Sequence, residues 1–115
     1  MSFDHTVVVR GRKRKAASVR ATAAKLAPLG EQEDEDDLFF DGVGSVQLRR
    51  LVRGYEISVD SNRDGNRERW EDLCELADRL AAALGEIVED AELAAQMCSR
   101  AMKKKTLRRT REWRS

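Results

Sequence analysis

The spacing of apolar residues along the chain predicts alternating strands and helices. Thr6 to Arg10 is a short β-branched run, which is typical of a β-strand. Ala16 to Ala27 follows with apolar residues at helical spacing, and Pro28 closes this predicted helix. Its apolar face consists mostly of alanine, so we expect the helix to bury little area.

Two further strands and the longest helix are predicted in the middle of the chain. Val46 to Val52 and Tyr55 to Val59 are β-capable runs joined at Arg53-Gly54, which predicts an antiparallel hairpin. A helical interpretation of the first run also exists, but Gly54 and the alternation after it favour strands. From Arg67 to Leu84 one continuous apolar face predicts a helix that Gly85 ends. That face consists of Trp70, Leu73, Cys74, Ala77, Leu80, Ala81 and Leu84.

Three shorter segments complete the pattern. Leu38 to Phe40 is an apolar patch that could be core, an edge strand or an exposed docking element, and core is favoured. Glu86 to Glu89 is short enough for a strand, and the apolar positions from Leu93 to Met102 predict a final helix. The order is β-α-β-β-α-β with an additional C-terminal helix, which predicts a small α+β two-layer sandwich. This order resembles a ferredoxin-like sandwich, an architecture that hosts many unrelated functions.

Composition limits the size and the location of the protein. The 115 residues are expected to form a single domain, residues 1–115, and aromatic residues make up only 5% of them, so aliphatic side chains and alanine must build the core. No apolar run reaches the roughly 20 residues that span a bilayer. The first residues also lack the order of a signal peptide. We therefore expect a cytoplasmic protein with no membrane partner.

Both cysteines lie on apolar faces of predicted helices. A free thiol there behaves as a small hydrophobic group, so Cys74 and Cys98 are expected to pack in the core. A disulfide between them is the alternative, although it would be unusual in the cytoplasm.

The net charge of +1 results from the cancellation of separate charged blocks. Residues 1–30 carry seven basic residues and one acidic residue, whereas residues 31–41 carry seven acidic residues and no basic one. Residues 93–115 again carry eight basic residues against one acidic residue. Residues 31–37 are predicted to form an acidic, solvated loop and residues 103–115 a basic C-terminal tail. The acidic candidates for partner binding are Glu31, Glu33, Asp34, Glu35, Asp36 and Asp37. The basic candidates are Lys103, Lys104, Lys105, Arg108, Arg109, Arg111 and Arg114.

Residues 60–71 match the written pattern of an EF-hand calcium loop at every specified position. Gly65 falls where that family needs a positive φ. Arg67 departs from the family at position eight, and the preceding segment has the period of a strand. The alternative is a polar turn whose Asn62, Asp64 or Asn66 caps the following helix. The candidate ligands are the side chains of Asp60, Asn62, Asp64, Glu68 and Glu71 and the backbone carbonyl of Asn66.

The chain offers little that an enzyme needs, because it has a single histidine and no motif that singles out an acid and a base. The favoured hypothesis is a non-enzymatic interaction protein, of the adaptor or inhibitor and immunity type, that binds a partner protein through its charged patches. Nucleic-acid binding through residues 10–15 and 103–114 is an alternative, as is calcium binding by loop 60–71. No other cofactor is expected. Patterned charge can also be satisfied between subunits, so a homo-oligomer remains open.

Overall fold

A computed structural model describes residues 3–31, 36–63 and 65–99 of the chain. It confirms the α+β class, with a five-stranded antiparallel sheet and three helices. The elements are β1 (Asp4–Arg10), α1 (Ala16–Leu26), β2 (Asp37–Phe40), β3 (Gly44–Leu51), β4 (Gly54–Asp60), α2 (Trp70–Leu84) and β5 (Glu86–Ile87). A third helix, α3, covers residues 91–99. Within these described ranges, no helix is long and apolar enough to cross a membrane.

The sheet contains one strand more than the predicted order. The strands lie in the order β2-β3-β4-β1-β5, with β2 at one edge and β5 at the other. Strand β2 pairs with β3, and Leu38 lies opposite Val46. On the outer side of β2, the Phe39 carbonyl accepts a hydrogen bond from the Gly30 N–H (2.8 Å). Asp37 belongs to this strand, so the prediction that residues 31–37 form a loop is wrong at its last residue.

The core lies on one face of the sheet, beneath α1 and α2. Alternate residues of the strands point to this face, and α2 adds a wide apolar stripe. The contribution of α1 is small, as its alanine-rich sequence predicts, because only Val19 and Ala23 of that helix are buried. The buried apolar residues of this core are Val7, Val9, Val19, Ala23, Leu38, Phe40, Val46, Leu48, Tyr55, Ile57, Val59, Leu73, Leu76, Ala77, Leu80, Ala81 and Leu84.

Helix α3 contacts the second face of the sheet, opposite the face that α1 and α2 cover. Glu56 lies between Tyr55 and Ile57, which both point into the core, so its side chain points to the other face. The Cys98 thiol donates a hydrogen bond to Glu56 Oε2 at 2.9 Å, which places α3 against that face. No described residue of α3 is fully buried, so this helix is attached less firmly than the core helices.

Two predicted boundaries shift. The β3–β4 hairpin turns at Val52-Arg53, because Leu51 pairs with Gly54. Helix α2 begins at Trp70, and its N-cap is Arg69, which makes no side-chain capping hydrogen bond. The prediction that Asn62, Asp64 or Asn66 caps this helix is therefore wrong.

Candidate functional site: a basic pole beside the hairpin

Seven basic residues gather at one end of the sheet. They come from the end of β1, the connection to α1, and the β3–β4 hairpin. All of them are exposed except Arg14, which is half-buried. We call this surface the basic pole, and it consists of Arg10, Arg12, Lys13, Arg14, Lys15, Arg50 and Arg53.

The backbone of the basic pole is fixed by hydrogen bonds to the hairpin. The Tyr55 ring is buried, and its hydroxyl accepts a hydrogen bond from the Arg14 N–H (2.8 Å) and donates one to the Arg12 carbonyl (3.2 Å). The guanidinium of Arg50 donates to the Arg14 carbonyl (2.8 Å). The Gly11 N–H donates to the Arg53 carbonyl at 3.0 Å. These bonds hold the connection and the hairpin together as one cationic surface.

The basic pole forms no ion pair with a described acidic residue, and most of its charged side chains are exposed. The exception is Arg14, whose buried Nε has no described hydrogen-bond partner. The ion pairs between described residues join His5 to Asp78, Arg49 to Glu56, Arg63 to Asp37, Arg69 to Asp72 and Arg79 to Glu75. None of these pairs includes a residue of the basic pole. Helix α1 begins directly after Lys15, has no acidic residue in its first turn and has no side-chain cap. The positive end of its dipole therefore adds to the local potential.

A groove of mixed charge borders the basic pole. It has a volume of about 440 Å³ and lies where β5 leads into α3. Its lining combines one cation, three carboxylates and an apolar wall: Arg10, Glu86, Glu89, Asp90, Ile87, Val88 and Leu93. Ile87 is 38% exposed, so apolar surface is accessible beside the charges.

The predicted acidic patch is only partly described. Glu33, Asp34 and Glu35 lie outside the described residues, whereas Glu31 is exposed. Asp37 accepts a hydrogen bond from Arg63 at 3.0 Å. Asp36 and Asp37 also line a polar pocket of about 280 Å³ with Arg49, Glu56 and Arg63. The structure thus places the end of this acidic run against basic side chains.

The basic tail from Lys103 to Arg114 lies outside the described residues, and so does Asp64 of the loop. The positive φ expected at Gly65 is confirmed, with a value of 85°.

The polar groups of loop 60–71 are largely engaged within the protein. Asp60 Oδ1 accepts the Asn62 N–H at 2.9 Å, and Asn62 Oδ1 lies 3.4 Å from the Arg67 guanidinium. Asn66 is fully buried, and its side chain bonds to the backbone of Ser45 and Asp60. Glu68 and Glu71 are exposed. Among the described residues, no group of three or more His, Cys, Asp or Glu side chains could hold a metal. Calcium binding by this loop stays a prediction.

Both cysteines are free thiols and half-buried, so no disulfide joins them. Burial raises the pKa of the Cys74 thiol, and the charges of Asp78 and Glu71 raise it further. Burial also raises the pKa of Cys98, with a further rise from its hydrogen bond to Glu56 that Arg49 opposes. Both thiols therefore resist ionisation, which disfavours a nucleophilic role.

Sequence reasoning identified residues 10–15 as basic but missed the hairpin half of the basic pole. Arg50 and Arg53 belong to a segment of nearly balanced charge, and Tyr55 follows the pattern of a core residue. The useful indication was the predicted antiparallel hairpin itself, because its turn projects Arg53 beyond the end of the sheet.

Comparisons with protein-family models, curated proteins and solved structures find no match for this chain.

Proposed function

We propose that the protein is a non-enzymatic interaction protein whose basic pole binds an acidic surface of a partner protein. The observation that supports this proposal is the basic pole itself, in which cations on a fixed backbone form no ion pair with a described acid. A surface of one charge sign speeds association with a partner of the opposite sign. Its fixed backbone also lowers the entropy that binding would cost.

The groove beside the basic pole favours a protein over a nucleic acid as the partner. Glu86, Glu89 and Asp90 would repel a phosphate backbone that extended from the basic pole towards β5. Exposed Ile87 provides the apolar contact that is characteristic of protein interfaces. A protein surface can present acidic, basic and apolar groups together and so complement this combination of positive charge, negative charge and apolar area.

Nucleic-acid binding is the second candidate. It is favoured by the uninterrupted cations of residues 12–15 and by the α1 N-terminus beside them. The basic tail, residues 103–114, would add to the same potential. In that case the affinity should fall steeply as salt concentration rises, because phosphate binding releases counterions.

The test is affinity capture with mass spectrometry, performed with and without nuclease. The variant Arg12→Glu/Lys13→Glu reverses two exposed charges of the basic pole. The control variant Lys25→Glu/Arg79→Glu makes the same change in net charge at exposed positions elsewhere. We expect wild type and the control variant to capture the same protein, and this capture should persist after nuclease treatment. The variant of the basic pole should no longer capture that protein. Equal capture by all three proteins would refute the proposal, and loss on nuclease treatment would support the second candidate.

We also propose that the sheet is a ferredoxin-like arrangement extended by one edge strand. Support comes from the strands β3, β4, β1 and β5, which lie adjacent in that order and are joined by α1, the hairpin and α2. Strand β2 is then the addition. An experimental structure with different pairing of β1 would contradict this proposal.

A further inference from the structure

Val52 combines an unusual position with an unusual exposure. It is the first residue of the two-residue turn between Leu51 and Gly54, and it is 52% exposed. Such tight hairpins favour residues that adopt a positive φ, usually Asn, Asp or Gly. Neither Val52 nor Arg53 has a positive φ, so this turn follows a less favoured geometry. The turn thus carries a β-branched apolar residue where local preference favours a small polar one.

This departure from local preference falls within the proposed binding surface. Val52 contributes nothing to the buried core, so packing does not explain a valine at this position. Arg53 follows it directly, and Arg50 of the same hairpin bonds to the connection after β1. Sequence positions that conflict with local structural rules are expected at functional sites.

We propose that Val52 is an apolar anchor beside Arg53 of the basic pole and that the partner is an acidic protein segment carrying a complementary apolar side chain. This inference rests on the proposed function and specifies the class of partner. The cations steer the partner towards the basic pole. Val52 supplies a short-range apolar contact, which is favourable because it removes the exposed valine side chain from water. Phosphate contacts need only cationic groups, so the valine serves a protein partner better than a nucleic acid.

The test uses defined probes and measures binding by fluorescence anisotropy at low salt. The probes are a glutamate-rich peptide with one central leucine, the same peptide with serine in its place, and a single-stranded oligonucleotide of equal charge. The variant Val52→Thr keeps the shape and β-branching of the residue and replaces one methyl group with a hydroxyl. Circular dichroism establishes that each variant is folded.

We expect wild type to bind the leucine peptide about tenfold more tightly than the serine peptide, because burial of an apolar side chain is worth roughly 1.5 kcal/mol. Val52→Thr should abolish this preference and leave oligonucleotide binding unchanged. The variant Arg12→Glu/Lys13→Glu should weaken the binding of both peptides while any preference for leucine persists.

Three results would overturn the inference. Wild type could bind both peptides equally, Val52→Thr could weaken both to the same extent, or the oligonucleotide could bind more tightly than either peptide. A separate result bears on the proposed function: if Arg12→Glu/Lys13→Glu bound every probe as wild type does, the basic pole would not be the binding surface. The failure of the anchor and the failure of the pole are therefore distinguishable.

Discussion

Asn66 should be among the most important polar residues for the stability of the fold. Its side chain is fully buried and spans the gap between loop 60–71 and β3. Oδ1 accepts the Ser45 N–H at 2.9 Å, while Nδ2 donates to the carbonyls of Ser45 (3.2 Å) and Asp60 (2.6 Å). The side chain thus satisfies backbone groups at the beginning of one strand and at the end of another.

The variant Asn66→Ala removes all three hydrogen bonds, so the backbone groups of Ser45 and Asp60 must bond to water instead. A buried polar group that loses its partner costs about 1–3 kcal/mol. Ser45 is only half-buried and Asp60 O also accepts the Arg63 N–H, so the lower part of that range applies to each group. We therefore expect unfolding to become easier by roughly 3 kcal/mol, which lowers the melting temperature by about 10 °C in a domain of this size.

The variant Asn66→Asp tests the role of the Asn66 amide as a hydrogen-bond donor. An ionised carboxylate accepts hydrogen bonds but cannot donate them, so it would face the carbonyls of Ser45 and Asp60 without a proton. At neutral pH this variant should be less stable than Asn66→Ala. Part of the loss should be recovered near pH 4, where the protonated acid can donate one bond.

The assay is urea unfolding followed by far-UV circular dichroism. The control is Asn62→Ala in the same loop, because Asn62 is exposed and the one contact described for its side chain is a long one, 3.4 Å, with Arg67. The control should lose less than about 0.5 kcal/mol. If Asn66→Ala were as stable as this control, the bonds to Ser45 and Asp60 would contribute little and the reasoning would be refuted.

The remaining predictions concern the neighbouring glycine, the loop, the thiols and the tail. Gly44 has a φ of 148° and a Cβ there would collide with Asn66 Oδ1, so Gly44→Ala should lower the melting temperature measured by circular dichroism; an unchanged value would contradict the steric argument. If loop 60–71 binds calcium, calorimetric titration with millimolar calcium should show heat of binding, and calcium should raise the melting temperature of the protein. The absence of both effects would show that the loop is only a turn. The raised pKa values of Cys74 and Cys98 predict slower alkylation by iodoacetamide at pH 7.5 than for an exposed cysteine peptide, and equal rates would show that burial has no effect. Because the folded state retains these protons longer, stability should also fall as the pH rises above about 8.5. If nucleic acid is the partner, deletion of residues 103–115 should abolish a gel shift, and a shift that persists unchanged would exclude a role for the tail.

The regular elements with strong periodicity could be predicted from the sequence. The apolar face of α2 was identified through Leu73, Ala77, Leu80 and Leu84, which are all buried. Leu76 was missed, although it is also buried. Helix α2 packs against α1 as well as against the sheet, so its apolar stripe is wider than a single helical face.

Strand β2 could not be assigned from its own residues. Leu38 and Phe40 are buried while Phe39 is 38% exposed, which is strand alternation over too few positions to establish a period. Pairing with β3 determines this strand. Asn66 presents a similar difficulty, because a polar residue in a polar loop predicts exposure, and only the absence of a side chain at Gly44 makes room for it.

The two ends of β4 show why the candidate site lies at the hairpin rather than at the motif. Beyond Asp60, the loop that matches a calcium pattern uses its amide groups and Asp60 to complete the fold. At the Gly54 end, the Tyr55 hydroxyl and the Arg50 guanidinium bond to backbone atoms. The neighbouring cations Arg10, Arg12, Lys13, Lys15 and Arg53 are exposed. A polar group that already has an internal partner gains little from a ligand, whereas charges held in place without a partner gain most. Binding is therefore expected at the end of the sheet where the described charges are not paired.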